Sequence, residues 1–113
     1  MDCIFCKIAS KEISTSLVYE DDQVVAFRDN DPQAPTHILI IPREHISTIN
    51  EFNDSHSGLI SHMMLTATQI ARELDIADDG YRLVWNCNLK GGQAVFHIHL
   101  HLLGGREMKW PPG

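Results

Sequence analysis

Positive charge is scarce in this chain. Nine lysines and arginines stand against fifteen aspartates and glutamates, a formal net charge of −6 with histidine neutral. The basic residues are scattered rather than striped, which excludes broad electrostatic binding to nucleic acid. Long hydrophobic runs are missing as well. The longest aliphatic stretch, Ile38-Leu39-Ile40-Ile41, falls far short of the ~20 residues that cross a bilayer. Met1-Asp2-Cys3 does not open a secretory leader, since no basic start precedes a long apolar stretch. Cysteine is limited to three residues, with Cys3 and Cys6 close together and Cys87 far away, and this is no secreted disulfide framework. No linker, low-complexity tract or internal repeat divides the chain. Its 113 residues make one domain, residues 1–113, and exclude two independent catalytic domains or a large barrel. The expectation is a soluble cytoplasmic domain with no nucleic-acid or membrane partner.

What the chain does have is histidine, seven in all. His56 and His62 fall in a helical pattern and read as helix-surface residues. His37, His45, His97, His99 and His101 fall in apolar strand-like or turn contexts. Ile4, Phe5 and Ile8 recur at helical spacing and predict a short helix ending near Ser10. Residues 17–19 and 24–27 read as two strands around an Asp21-Asp22 turn. Residues 29–35 read as a loop, and residues 37–41 as a buried strand closed by Pro42. Asp54 is the expected N-cap of one long helix with the stripe Leu59, Ile60, Met63, Met64, Ala67, Ile70, Ala71 and Leu74. A strand at 81–85, a Gly91-Gly92 turn and a last strand at 94–103 complete the pattern. The expected class is α+β, an antiparallel sheet with the long helix on one face. The other face must then be solvated, used as a site or buried against a partner.

His97-Ile98-His99-Leu100-His101-Leu102 alternates without a break. On a strand the three histidines share one side, with Phe96, Ile98, Leu100 and Leu102 toward the core. A half-exposed strand would explain such alternation without any chemistry, although three histidines on one face is an unusual choice for it. A metal held by all three is disfavoured, because His97 and His101 begin ~13 Å apart at ~3.3 Å per residue. Nucleophilic catalysis is the third reading: a neutral imidazole attacks phosphorus or carbonyl carbon and leaves readily. The nearby Lys90-Gly91-Gly92-Gln93 turn could then bring backbone N–H groups to an anionic oxygen. Cys3-x-x-Cys6 has ligand spacing, but one such pair also suits two small buried residues. Cys87 reads as a plain buried thiol.

Residues 91–106, Gly-Gly-Gln-Ala-Val-Phe-His-Ile-His-Leu-His-Leu-Leu-Gly-Gly-Arg, resemble the signature of the histidine triad (HIT) superfamily. Asp31-Pro32-Gln33-Ala34-Pro35-Thr36-His37-Ile38-Leu39-Ile40-Ile41-Pro42 and the tail from Arg106 to Gly113 narrow the resemblance to its nucleotide-binding Hint branch. The likeness runs from Ile4 to Gly113. It implies a five-stranded antiparallel sheet with one long and one short helix, and a homodimer whose sheets join. Tail residues 106–113, with Trp110, would reach toward the partner. It implies a purine nucleoside phosphoramidase that splits the P–N bond of adenosine or guanosine 5′-phosphoramidates, and aminoacyl-adenylate-type substrates, through a nucleotidyl-histidine intermediate. His99 matches the nucleophile, His101 the histidine that contacts the phosphate, and His37 the upstream member of the proton relay. Asn86 and Gln93 match polar positions around the phosphate, and Asp29 the carboxylate that takes the ribose hydroxyls. Ile4, Phe5 and Phe27 match the purine slot. By themselves Asp29 also suits a loop cap and the three apolar residues ordinary core.

Two positions depart from the family pattern. Ala94 stands where a serine commonly follows Gly-Gly-Gln near the leaving group, and Asn30 where a hydrophobic residue often lines the base slot. Ala94 keeps alive a second reading, a nucleotide-binding regulatory protein with weak or vestigial hydrolysis. The resemblance further implies a structural zinc held by Cys3, Cys6, His45 and His97, with no catalytic cofactor.

Overall fold

Residues 24–27 and 37–42 are apolar runs with little alternation, the pattern of strands covered on both faces. In the computed structural model, which describes residues 2–113, they are the central strands. The elements are α1 (Ile4–Ala9), β1 (Leu17–Glu20), β2 (Val24–Arg28), β3 (Thr36–Pro42), α2 (Ser57–Glu73), β4 (Tyr81–Trp85) and β5 (Leu100–Gly104). The five strands form one sheet in the order β1-β2-β3-β5-β4, and every pairing is antiparallel. This is the expected α+β class. No helix of the described residues is long and apolar enough to cross a membrane.

α2 covers one face. Its Met63, Ala67, Ile70 and Ala71 pack on Val24, Ala26, Ile38, Ile40, Leu100 and Leu102, all of them fully buried. The other face carries α1, where Phe5 and Ile8 meet Val25, Phe27, Leu39 and Ile41. The face opposite α2 is therefore part core and part site. Gly104 lets the sheet meet the end of the α2 layer closely, since a Cβ there would stand 2.6 Å from Ile76 Cδ1.

Two expected boundaries shift for identifiable reasons. The last strand starts at Leu100 rather than at residue 94. Its pairing with β3 ends at Ile40 opposite Leu100, because β3 closes on Pro42, which has no N–H to donate. The Ile98 amide instead donates to the Ile46 carbonyl at 2.8 Å. Phe96, expected in the core, lies on this irregular segment and is 46% exposed. The long helix begins at Ser57, not directly after Asp54. Asn53 first caps a short 3₁₀ turn at Asp54–His56 in a reciprocal capping box with His56.

His62 is not a free surface residue. Its Nε2 lies 2.6 Å from Asp21 Oδ2, which also accepts from the Tyr19 hydroxyl at 2.7 Å. Burial opposes the Asp21 charge, yet bonds from Tyr19, the Gln23 and Val24 amides and His62 hold its carboxyl well below the ordinary carboxylate range. This cluster pins α2 to the β1–β2 turn. Cys87 is half-buried and unpaired.

Leu100→Ala removes a fully buried side chain at the centre of the sheet and is expected to lower unfolding free energy by about 2–5 kcal/mol. Gln69→Ala on the exposed side of α2 should stay within about 0.5 kcal/mol. Urea midpoints at constant slope measure both.

Candidate active site

Strand alternation decides which side chains reach the face that carries α1. Leu39 and His101 stand opposite one another across β3 and β5, and His37 lies two residues before Leu39, so both histidines emerge beside α1. His99 comes from the irregular segment just before β5. Together with Ile4, Phe5, Ile8, Phe27, Asp29, Asn30, Asn86 and Ala94 these three histidines line a cavity of about 720 Å³. One end is apolar. There the Phe5 ring meets Phe27 edge-on at 5.6 Å and His99 at 5.1 Å between centroids. Imidazole, carboxamide and carboxylate groups make up much of the remaining lining.

The hydrogen bonds fix where the protons sit. The Gln33 amide donates to His37 Nδ1 at 3.0 Å, so neutral His37 carries its proton on Nε2. That nitrogen lies 2.9 Å from His101 Nδ1 and donates to it. Neutral His101 then carries its proton on Nε2, a buried atom with no protein partner. An orphaned buried donor calls for an acceptor, and the ring that carries it lines the cavity. His99 Nδ1 donates to the His97 carbonyl at 2.8 Å, which leaves a lone pair on His99 Nε2.

Burial disfavours the charged form of each ring. It lowers His37, with Asp29 and Asp31 acting partly against it, and lowers His99, where the bond to the His97 carbonyl and Asp29 act against it. Burial and the neighbouring His99 and His37 bring His101 down to about 4. At neutral pH the site therefore holds uncharged imidazoles. Asp29 serves two ends: Oδ1 caps its loop by accepting from the Asp31 amide at 2.9 Å, and Oδ2 stands 3.6 Å from His37 Nε2.

One residue expected around the phosphate, Gln93, has its carboxamide engaged elsewhere, and Trp110, expected to reach toward a partner subunit, stands outside this chain's own cavity. Gln93 does not line the cavity. Its Nε2 donates to the Ser47 and Val95 carbonyls at 2.7 and 3.0 Å, and its Oε1 accepts from the Asn88 amide at 2.8 Å. Its carboxamide is consumed in bracing the 88–95 turn. That turn also needs Gly91, whose Cβ would come within 2.4 Å of the Cys87 carbonyl oxygen. Trp110 is 81% exposed outside the cavity, with the Arg82 guanidinium 5.9 Å from its ring centroid. Other cavity residues escaped the sequence reading. Leu39 and Ile8 had a signal, at strand spacing from His37 and helical spacing from Ile4. The Gln33 amide had none, because a side-chain motif does not report backbone donors.

Beside the cavity, Cys3, Cys6, His45 and His97 bring four ligand atoms within 4.8 Å of one another. His45 Nδ1 and His97 Nδ1 are 3.2 Å apart, Cys3 Sγ lies 3.3 Å from His97 Nδ1, and Cys6 Sγ lies 3.4 and 3.5 Å from the two nitrogens. Tetrahedral zinc bonds imply edges of about 3.3 Å between nitrogens and about 3.6 Å between nitrogen and sulfur. His97 Nε2 donates to the Pro42 carbonyl at 2.8 Å, the second contact that frees Nδ1 for a metal. The donor set, spacing and tautomer are compatible with zinc. Asp29, His37 and His101 are also close enough for a metal, but their short nitrogen contact already holds a proton.

Residues 10–108 match the family model described as HIT domain. The chain belongs to the HIT family. Among similar proteins, the purine nucleoside phosphoramidase of Escherichia coli (strain K12) is 52% identical over 107 residues, 95% of this chain and 90% of that protein. A 14 kDa zinc-binding protein of Brassica juncea is 46% identical over 114 residues, covering 99% of this chain and 100% of that protein. The crystal structure of a HIT family hydrolase from Legionella pneumophila Philadelphia 1 superposes with a TM-score of 0.98 at 55% identity, covering 99% of this chain and all of that one.

The lowered histidines set a pH window for stability. The unfolded chain binds protons near pH 6.5, whereas folded His101 takes one only near 4. Stability from this group is complete above pH 6.5 and is lost as pH falls toward 4. Thermal melts between pH 7 and 4 should show that decline, and His101→Asn should flatten it.

Proposed function

We propose that this HIT-family nucleotide hydrolase is a purine nucleoside phosphoramidase working through a nucleotidyl-histidine intermediate. The observation that carries the reading is the uncharged His99 ring on the cavity wall, its Nδ1 tied to the His97 carbonyl and its Nε2 lone pair left free. Nε2 attacks the α-phosphorus, forming the N–P bond as the P–N bond to the leaving group breaks, and the departing amine takes its proton from solvent water. Water then attacks the phosphorus, the N–P bond breaks, and the proton of that water returns to solvent, which leaves the nucleotide and neutral His99. The unpartnered Nε2–H of His101 donates to a phosphate oxygen while charge builds there, and His37 keeps that ring in the donating tautomer. Asn86 is the polar group on the phosphate side. The apolar wall of Ile4, Phe5 and Phe27 takes the purine, and Asp29 takes the ribose hydroxyls. Gln93 acts through the turn it braces. The phosphoramidase of Escherichia coli, similar over most of the chain, supports the substrate class.

Ala94 favours a second reading, because it puts a methyl where the cavity wall could offer a hydroxyl. In that reading the chain binds nucleotide and hydrolyses it slowly. A lost hydrogen bond of this kind weakens handling of the leaving group by about 1–3 kcal/mol.

Zinc at Cys3, Cys6, His45 and His97 would be structural, a closed four-ligand centre that ties α1 to the sheet. The zinc-binding protein of Brassica juncea supports this. A homodimer is the assembly we favour. β4 ends the sheet, and a free strand edge is a surface for pairing. Arg82 on β4 donates to the Lys109 carbonyl at 3.0 Å and its guanidinium stands 5.9 Å from the Trp110 ring centroid, so Lys109 and Trp110 of the tail lie beside Arg82. A second copy docking there would receive it.

His99→Ala is expected to abolish turnover of adenosine 5′-phosphoramidate while the far-ultraviolet dichroism stays native; undiminished turnover overturns the nucleophile. A low wild-type rate with retained affinity for adenosine 5′-monophosphate decides for the binding protein. Elemental analysis of protein purified without chelator should give one zinc per chain. Light scattering at micromolar concentration should give twice the chain mass.

A further inference from the structure

We propose that the Cys3, Cys6, His45 and His97 centre positions the nucleotide cavity, so that zinc and nucleotide each tighten the binding of the other. This rests on the zinc and nucleotide readings above and adds an energetic link between them. α1 has six residues, while isolated helices below about 12–15 residues are marginal in water. Its shape depends on what holds it to the sheet. Cys3 and Cys6 bracket Ile4 and Phe5 in the chain, and their sulfurs lie 3.3 and 3.4 Å from His97 and His45 nitrogens. Fixing both sulfurs on one point fixes the helical turn that carries Ile4 and Phe5 into the cavity.

A second path runs through His97. Its ring faces the metal cluster with Nδ1 and is anchored by Nε2 on the Pro42 carbonyl. Its own carbonyl holds the His99 Nδ1 proton. One residue thus presents its side chain to the metal and its backbone to the nucleophile. The Phe5 ring closes the loop, lying 5.9 Å from the His97 ring and 5.1 Å from the His99 ring.

Without the metal, α1 keeps its apolar contacts and, at its C-terminal end, the Arg43 Nη1 bond to the Ala9 carbonyl at 2.6 Å, and the N-terminal turn that carries the purine wall must be ordered as nucleotide binds. With the metal, that ordering is already complete. Linkage then requires the converse: nucleotide lying on Ile4 and Phe5 holds the cysteines in place and raises zinc affinity by the same factor. His45 separates this from direct contact. It is a positioning residue, half-buried and absent from the cavity wall.

The test uses adenosine 5′-monophosphate as probe. Calorimetric titration of zinc-loaded wild type, His45→Ala and His45→Cys should show His45→Ala binding at least about fivefold more weakly. His45→Cys, which keeps four zinc-type donors, should restore the affinity. On wild type, competition with a chromophoric chelator should show zinc held more tightly, by the same factor, under saturating nucleotide. That arm decides alone if His45→Ala does not fold. Equal zinc affinity with and without nucleotide overturns the coupling while leaving both sites standing. A wild-type chain that takes up no zinc overturns the zinc reading and the coupling together. Zinc-loaded protein that does not bind the nucleotide overturns the nucleotide reading instead.

Discussion

The His97 carbonyl accepts the Nδ1 proton of His99 across 2.8 Å, and the chemistry of the cavity depends on that bond. An imidazole has two nitrogens, and only an unprotonated one attacks. By occupying Nδ1 with a backbone acceptor, the fold leaves the lone pair on Nε2. The same logic runs in the opposite sense through His37 and His101, where a backbone donor from Gln33 occupies the first ring and pushes a proton to the far side of the second. One ring becomes a base and its neighbour a donor, with no charged residue between them. Burial completes the arrangement by keeping the rings neutral near pH 7.

The bond between His97 and His99 exists because the sheet stops where it does. Had β3 continued past Pro42, the segment before Leu100 would have joined the ladder, and the His97 carbonyl would have been spent on a strand partner. The break releases that carbonyl for His99 and lets the His97 ring turn toward the cysteines. The irregular segment is the least regular backbone near the site and also the most used. The glycine turn before it is braced by Gln93, whose three hydrogen bonds go to backbone groups.

The sequence was most readable where a period governs position. Alternation and apolar runs marked the strands, and the 3.6-residue stripe marked α2. The spacing of His37, His99 and His101 within recognisable motifs brought three distant rings to one cavity. Legibility ended where backbone groups or tertiary contacts decide. Alternation from residue 94 read as strand because the pattern does not report that the partner ends at a proline. Gln93 read as a phosphate contact because its carboxamide suits either a ligand or a turn. His62 read as solvated because its partner, Asp21, lies far away in sequence on a turn between two other strands.

The cluster of Asp21, Tyr19 and His62 has a consequence for mechanics. It rivets the long helix to the turn between the first two strands, while a fully buried aliphatic layer fills the space between helix and sheet. That side of the protein is stiff. The opposite side is closed by one six-residue helix and a wall that is partly empty. The lighter of the two layers is thereby the one that carries the cavity, and the heavier one stands behind it as an anvil.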